Sequence, residues 1–262
     1  MLFDSLVHVT PDGRWFDTQF DASESRLLRE LDEAQIDRAI VVPIADYISN
    51  DFVLEVCSRH PGRLIPACSI NPGSYPDPES AAAQFDKLLD SGPFRALKLH
   101  PRLNRYDVLD PRVFAIMDRI RQSNRPPVVL IDTLLYHHDG QMRFPLVHSL
   151  WHIVTTFPEV KFVLLHAGGA NLLPLMDAVR SSHNVFLDLS FTIHRYQGSS
   201  LELDMAYLLR TFDRRTVFGS DFPEVPIQQA FAMLRELGRE LPTEKLQNVL
   251  GNNLSNLFRE DP

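Results

Sequence analysis

LFDSLVHVTPDGRW, residues 2–15, decides between two architectures. Residues 2–9 read as a strand, apolar apart from Asp4, Ser5 and His8, and VTPDGRW (9–15) follows. An open doubly wound sheet usually announces itself with a glycine-rich turn after its first strand. VTPDGRW has no such turn. Seven further strand-like runs follow: RAIVVPI (38–44), LIPACSI (64–70), ALKLHP (96–101), PVVLIDT (127–133), KFVLLHA (161–167), VFLDLSF (185–191) and TVFGSDF (216–222). Amphipathic helical stretches such as SRLLRELDEAQ and ESAAAQFDKLLDS alternate with them. Several end at proline or glycine, as at HPG (60–62), SGP (91–93) and FPE (157–159). Eight strand-then-helix units of roughly 30 residues match a (β/α)₈ TIM barrel. The expectation is an α/β protein with one barrel domain over residues 1–262.

Composition narrows the class. Hydrophobic residues make up 44% and charged residues 23%, the balance of a soluble globular protein. The formal charge is −8, with 34 acidic against 26 basic residues, which argues against nucleic acid as a partner. Cys57 and Cys68 sit in apolar segments without metal-like spacing and read as reduced core residues. No apolar run approaches the ~20 residues of a membrane helix, and the start lacks a signal-peptide pattern. These features predict a cytoplasmic protein with no membrane association and leave homo-oligomerisation open. A small-molecule partner is the expectation that the polar strand ends bring.

In a barrel the chemistry gathers at the C-terminal ends of the strands. The first run ends at His8, the fourth carries Lys98 and His100, the fifth ends near Asp132, the sixth at His166 and the eighth at Asp221. Alternation puts Asp4, Leu6 and His8 on one face. Buried polar groups without partners are costly, so strand ends of this kind point to one converging site. Each residue alone has a plainer reading. A lone strand histidine is most often a hydrogen-bonded core residue, and Asp221 could cap a loop.

The succession FDSLVHV, ALKLHP, KFVLLHAGG, NVFLDLS, VFGSDFP and NVLGNNLSNLF resembles the amidohydrolase-related branch of the amidohydrolase superfamily, over nearly the whole chain. The resemblance implies a (β/α)₈ barrel that hydrolyses C–N or C–O bonds or, in one branch, decarboxylates aromatic acids. It also implies a divalent ion, commonly zinc, held by a first-strand His-x-His, a fifth-strand His and an eighth-strand Asp. Carried over, His8 fits the second histidine of the pair, but Leu6 stands where the first belongs. Asp132 stands where the fifth-strand histidine belongs. His166 and Asp221 match outright.

His8, Asp132 and Asp221 could supply three ligands, with His166 as a fourth. The two carboxylates shift preference from zinc toward manganese or magnesium. In this reading Asp221 is the base and His166 polarises the scissile carbonyl or protonates the leaving group. Leu6 offers no ligand, and loss of the ion leaves a metal-independent lactonase-type hydrolase or a decarboxylase. A pseudoenzyme that binds a ligand or protein without turnover is a third reading.

Lys98 is one of four lysines. Related barrels carbamylate a fourth-strand lysine. A salt bridge to Asp132 or Asp221 is the plainer expectation, and a Schiff-base role requires a depressed pKa. Substrate-facing candidates are Lys98, His100, Arg102 and Arg105 of PRLNRY, tandem His137 and His138, and His194, Arg195 and Tyr196 of FTIHRYQG. Arginine forks suit carboxylates, so an anionic substrate is expected. HSLWH (148–152) lacks the glutamate of a zinc-protease motif and reads as helix packing.

Overall fold

The computed structural model describes residues 1–134 and 146–259. Among these residues eight parallel strands follow one another in chain order: β1 (Phe3–Val7), β2 (Arg38–Val41), β3 (Leu64–Ser69), β4 (Ala96–Leu99), β5 (Val128–Asp132), β6 (Phe162–Leu165), β7 (Val185–Asp188) and β8 (Thr216–Val217). Each pairs in parallel with the next. β8 is short, but the chain beyond it runs on against β1. Ser5 N–H donates to the Phe218 carbonyl (2.9 Å), Asp221 N–H to that of Leu6 (3.0 Å) and His8 N–H to that of Phe222 (2.8 Å). These bonds close the seam of a TIM barrel.

Alternation sorts the side chains into two layers. Ile40, Val42, Ile65, Ala67, Ala96, Leu130 and Val163 fill the barrel interior. Val41, Cys68, Leu97, Leu99, Ile131 and Leu164 face outward into the shell shared with the helices. Cys57 and Cys68 are buried and unpaired. HSLWH lies in the helix Leu146–Thr156, where His152 packs near Phe114 and His148 near Trp151. Among the described residues no helix is long and apolar enough to cross a membrane.

β1 departs from strict alternation. Phe3 and Leu6 both belong to the interior cluster although they stand three positions apart, and the β1–β2 register shifts between Asp4 and Val7. A bulge of this kind re-aims the side chains that follow. Asp4 therefore does not share a face with Leu6 and His8, as alternation had predicted. Its carboxylate lies wholly buried in the β1–β8 seam. There Oδ1 accepts from Leu6 N–H (3.0 Å) and Ser220 N–H (2.9 Å), while Oδ2 meets no partner. Burial pushes this carboxyl up to about 7. Gly219 lies in the same seam because nothing larger fits. A Cβ there would sit 2.4 Å from Asp188 Oδ2 and 2.5 Å from Ser5 Oγ, across the Ser5–Asp188 hydrogen bond.

The raised Asp4 group makes a testable contribution to stability. The folded state holds this proton more tightly than the unfolded chain, where an Asp titrates near ~4. Its contribution is therefore complete below ~4 and is lost as pH rises toward about 7. Asp4→Asn retains an acceptor for both amides and carries no charge. In urea denaturation it should gain on the wild type at pH 8 and lose that gain near pH 4.5. Asp4→Ala strands two amides and should be destabilised at both values.

Candidate active site

Pairing stops just short of the polar strand ends, so His8, His100, His166 and Asp221 stand on the first residues of the loops while Asp132 is the last residue of β5. All five are buried. At β6, β7 and β8 the exit is a left-handed turn: His166 has φ 65°, Ala167 45°, Phe191 58° and Asp221 64°. Non-glycine residues rarely hold this conformation, and it clusters at functional sites. The turn at HAGG is pinned from three sides. His166 N–H donates to Asp188 Oδ1 (3.1 Å), Gly168 N–H to Thr133 Oγ1 (2.8 Å) and Thr192 Oγ1 to the His166 carbonyl (2.7 Å).

Three histidines are each fixed through Nδ1 by a backbone group and turn Nε2 toward a carboxylate. His8 Nδ1 lies 2.6 Å from the Val42 carbonyl, which can only accept, so the proton sits on Nδ1. Its Nε2 then faces Asp221 Oδ1 at 3.5 Å. His100 Nδ1 instead accepts from Leu103 N–H (3.4 Å), which places its proton on Nε2, 3.4 Å from Asp132 Oδ2. Burial drives His100 well below the usual histidine value, and it is neutral. His166 Nδ1 donates to the Ser190 carbonyl (3.0 Å) while Nε2 lies 3.3 Å from Asp132 Oδ2. Burial lowers this group, but the hydrogen bond to Asp132 and the Asp221 charge outweigh it and raise it above the ordinary value.

Asp132 is the hub. Arg102 forks onto it, Nε to Oδ1 and Nη2 to Oδ2 at 3.3 Å each, and the two histidines approach Oδ2. Burial raises the carboxyl, yet His100, Arg102 and His166 together hold it well below the usual carboxylate range. Asp221 behaves alike: burial raises it, and His8, His166 and Lys98 bring it below its ordinary value.

The expected site residues divide. His8, His100, Asp132, His166 and Asp221 converge, and Arg102 joins them as the counter-ion of Asp132 rather than as a free fork. Lys98 is buried beneath them, and the expected salt bridge to Asp132 or Asp221 does not form. His194 and Arg195 lie exposed on the turn Thr192–Arg195, with His194 Nδ1 near Gln229 Nε2 (3.4 Å) and the Arg195 guanidinium 5.8 Å from the Phe191 ring centre. Arg105 is exposed as well. His137 and His138 lie outside the described residues. Sequence reasoning missed Trp15, which stacks on His8 at 4.8 Å and donates from Nε1 to Glu224 Oε1 (2.9 Å). It also missed Glu224 itself, raised by burial and by Asp221, and Asp188 beneath His166.

A catalytic zinc takes three protein ligands and leaves one position open. His8 and Asp221 provide two donors; Leu6 provides none, and both oxygens of Asp132 are taken by Arg102 and the histidines. Among the described residues no group of three or more His, Cys, Asp or Glu side chains is placed to hold a metal ion. The residues in this arrangement do not fit a resident ion.

The amidohydrolase family model matches residues 8–259, and the chain belongs to that family. No curated protein matches it. Among solved structures, it is similar to an uncharacterized TIM-barrel protein from Bordetella bronchiseptica (17% identity, TM-score 0.81, covering 98% of this chain and 97% of that one). It is also similar to a probable 2-pyrone-4,6-dicarboxylic acid hydrolase from Acinetobacter baumannii with citric acid bound (14%, TM-score 0.67, 98% of each chain). A third is a 5-carboxyvanillate decarboxylase from Novosphingobium aromaticivorans complexed with manganese and a nitrobenzoic acid (12%, TM-score 0.69, 99% and 96%). At these identities the likeness establishes the shared fold.

The Asp132 hub makes a direct prediction. Asp132→Ala takes the bidentate carboxylate from Arg102 and a partner from His100 and His166, and should cost about 3–5 kcal/mol in chemical denaturation. Adding Arg102→Met should restore most of it. A double variant no more stable than the single one would show that the pair is not the unit.

Proposed function

We propose that the chain is a hydrolase that opens a C–O or C–N bond (a lactone, ester or amide) in a small molecule, using Asp221 as base and His166 as acid, without a resident metal ion. The observation that carries this reading is the convergence of Asp221, beyond β8, and His166, at the end of β6, on one barrel mouth. There each shifts the other against burial: Asp221 is lowered by His8 and His166, and His166 is raised by Asp132 and Asp221. Water attacks the carbonyl carbon and its proton passes to Asp221. The bond to the leaving group breaks, and the leaving oxygen or nitrogen takes the proton of His166 Nε2. Asp132 stabilises the imidazolium before transfer, while Ser190 fixes the ring by accepting from Nδ1. His8, held by Nδ1 at the Val42 carbonyl, sets its Nε2 3.5 Å from Asp221 Oδ1 and keeps that carboxylate in position. The probable pyrone hydrolase among its structural relatives supports a lactone as the first substrate class to try, and the decarboxylase relative makes CO₂ release the arm to run beside it.

On a confirmed substrate, Asp221→Asn and His166→Ala should each lower kcat by roughly 10²–10⁴, the usual worth of a positioned acid or base. The pH profile should keep its acid limb below the ordinary carboxylate range and its alkaline limb above the ordinary histidine range, because Asp221 is lowered and His166 raised. Dialysis against a chelator, checked by elemental analysis, should leave activity intact. Loss on chelation with recovery on added manganese would refute the metal-free part. A broad panel without turnover would favour a binding protein.

A further inference from the structure

Two polar side chains below the mouth make no hydrogen bond or ion pair among the described residues. Lys98 is 2% exposed, and among the described residues no hydrogen bond or ion pair meets its ammonium. Ser69 is 5% exposed, and its Oγ has no partner. They are neighbours by construction: Ser69 is the register partner of Lys98, two residues beyond the partners Ala67 and Ala96, which lie in the barrel interior. Alternation therefore turns both polar side chains inward. His100 and Asp132 stand two residues further along β4 and β5, so Ser69 and Lys98 form the floor of the same mouth. Asp132, Asp221 and Asp188 act on the Lys98 charge without pairing with it. Each of those carboxylates already has closer partners: Arg102 and two histidines, His8, and Ser5 with Ser190.

A buried amine that no carboxylate meets within ion-pair distance and a buried hydroxyl without a partner each carry a desolvation cost that packing alone does not offset. Both are donors, so the group that satisfies them is an acceptor with a negative charge and more than one oxygen. From this geometry we infer that Lys98 Nζ and Ser69 Oγ form an anchoring subsite for a carboxylate of the ligand, on the β3–β4 side of the mouth and away from Asp221. The substrate class this defines is a carboxylate whose scissile carbonyl lies in the same small molecule, apart from the anchoring group. The inference rests on the hydrolase reading only for the word substrate; the binding itself does not require turnover.

Thermal unfolding and calorimetry with acetate, benzoate and citrate, against benzamide as the neutral match and sulfate as the inorganic one, test it. At least one carboxylate should raise the melting temperature of the wild-type chain, with benzamide and sulfate inert. Lys98→Met should weaken that carboxylate at least about tenfold, and Ser69→Ala by a smaller factor, in line with hydrogen bonds to a charged group. The ligand-free Lys98→Met protein should keep the wild-type circular dichroism spectrum, so that lost binding reports the subsite and not unfolding. Failure of every carboxylate, equal stabilisation by sulfate, or undiminished binding by Lys98→Met would each overturn the subsite. Asp221→Asn should bind the carboxylate at least as tightly as wild type does, since it removes a negative charge that acts on Lys98. If it also retains turnover, the hydrolase assignment falls and the subsite stands.

Discussion

A single buried carboxylate organises the mouth of this barrel. Asp132 ends β5 with both oxygens engaged, by a guanidinium from the turn after β4, by His100 at the end of β4 and by His166 at the end of β6. Each of those partners would be out of place alone. Arg102 would lose the carboxylate it forks onto, and His166 would lose the hydrogen bond that works hardest against its burial. Removing Asp132 therefore leaves Asp221 to raise His166 alone, and weakens in turn what His166 does to lower Asp221.

The barrel and the convergence were legible in the sequence because both follow from periodicity. Alternation in KFVLLHA and PVVLIDT separates inward from outward residues, and parallel pairing then carries all C-terminal ends to one face. His8, Asp132, His166 and Asp221 gather for that reason. Arg102 could not be placed the same way. It lies in the short helix Pro101–Asn104, whose turn brings the side chain back over β5 instead of toward solvent. The bulge in β1 was equally invisible. FDSLVHV alternates acceptably on paper, and only contact with residues 218–222 shows that Phe3 and Leu6 share the interior. Trp15 and Glu224, 209 positions apart, meet only through the closed seam. A faint signal did exist for Asp188, an acidic residue at an inward position of FLDLS.

The resemblance named a metal set that these side chains supply only in part, and the reason is chemical. Leucine at position 6 removes one imidazole. Aspartate at position 132 replaces another with a group that attracts a cation of any kind, and the chain supplies one itself in Arg102. An ion competing there would have to displace a bidentate guanidinium and two histidine contacts. A fixed cation on the chain thus occupies the electrostatic role that a metal would otherwise fill at this strand end.

The two halves of the mouth differ in rigidity for a reason that bears on how they act. On the β6–β8 side, His166, Phe191 and Asp221 hold left-handed conformations that cost about 1–3 kcal/mol each. Such strain persists only where neighbours over-determine it, and Asp188, Thr133 and Thr192 do so at His166. Groups held this way keep their aim when a ligand enters, which proton transfer requires. On the β3–β4 side, regular strands carry Ser69 and a lysine with a four-carbon stem and unused donors. A flexible cation can follow a charged group into place where a strained turn cannot. Fixed acid and base on one side, with an adaptable anchor opposite, is the division of labour that lets one barrel orient a small anion without reshaping its reacting groups.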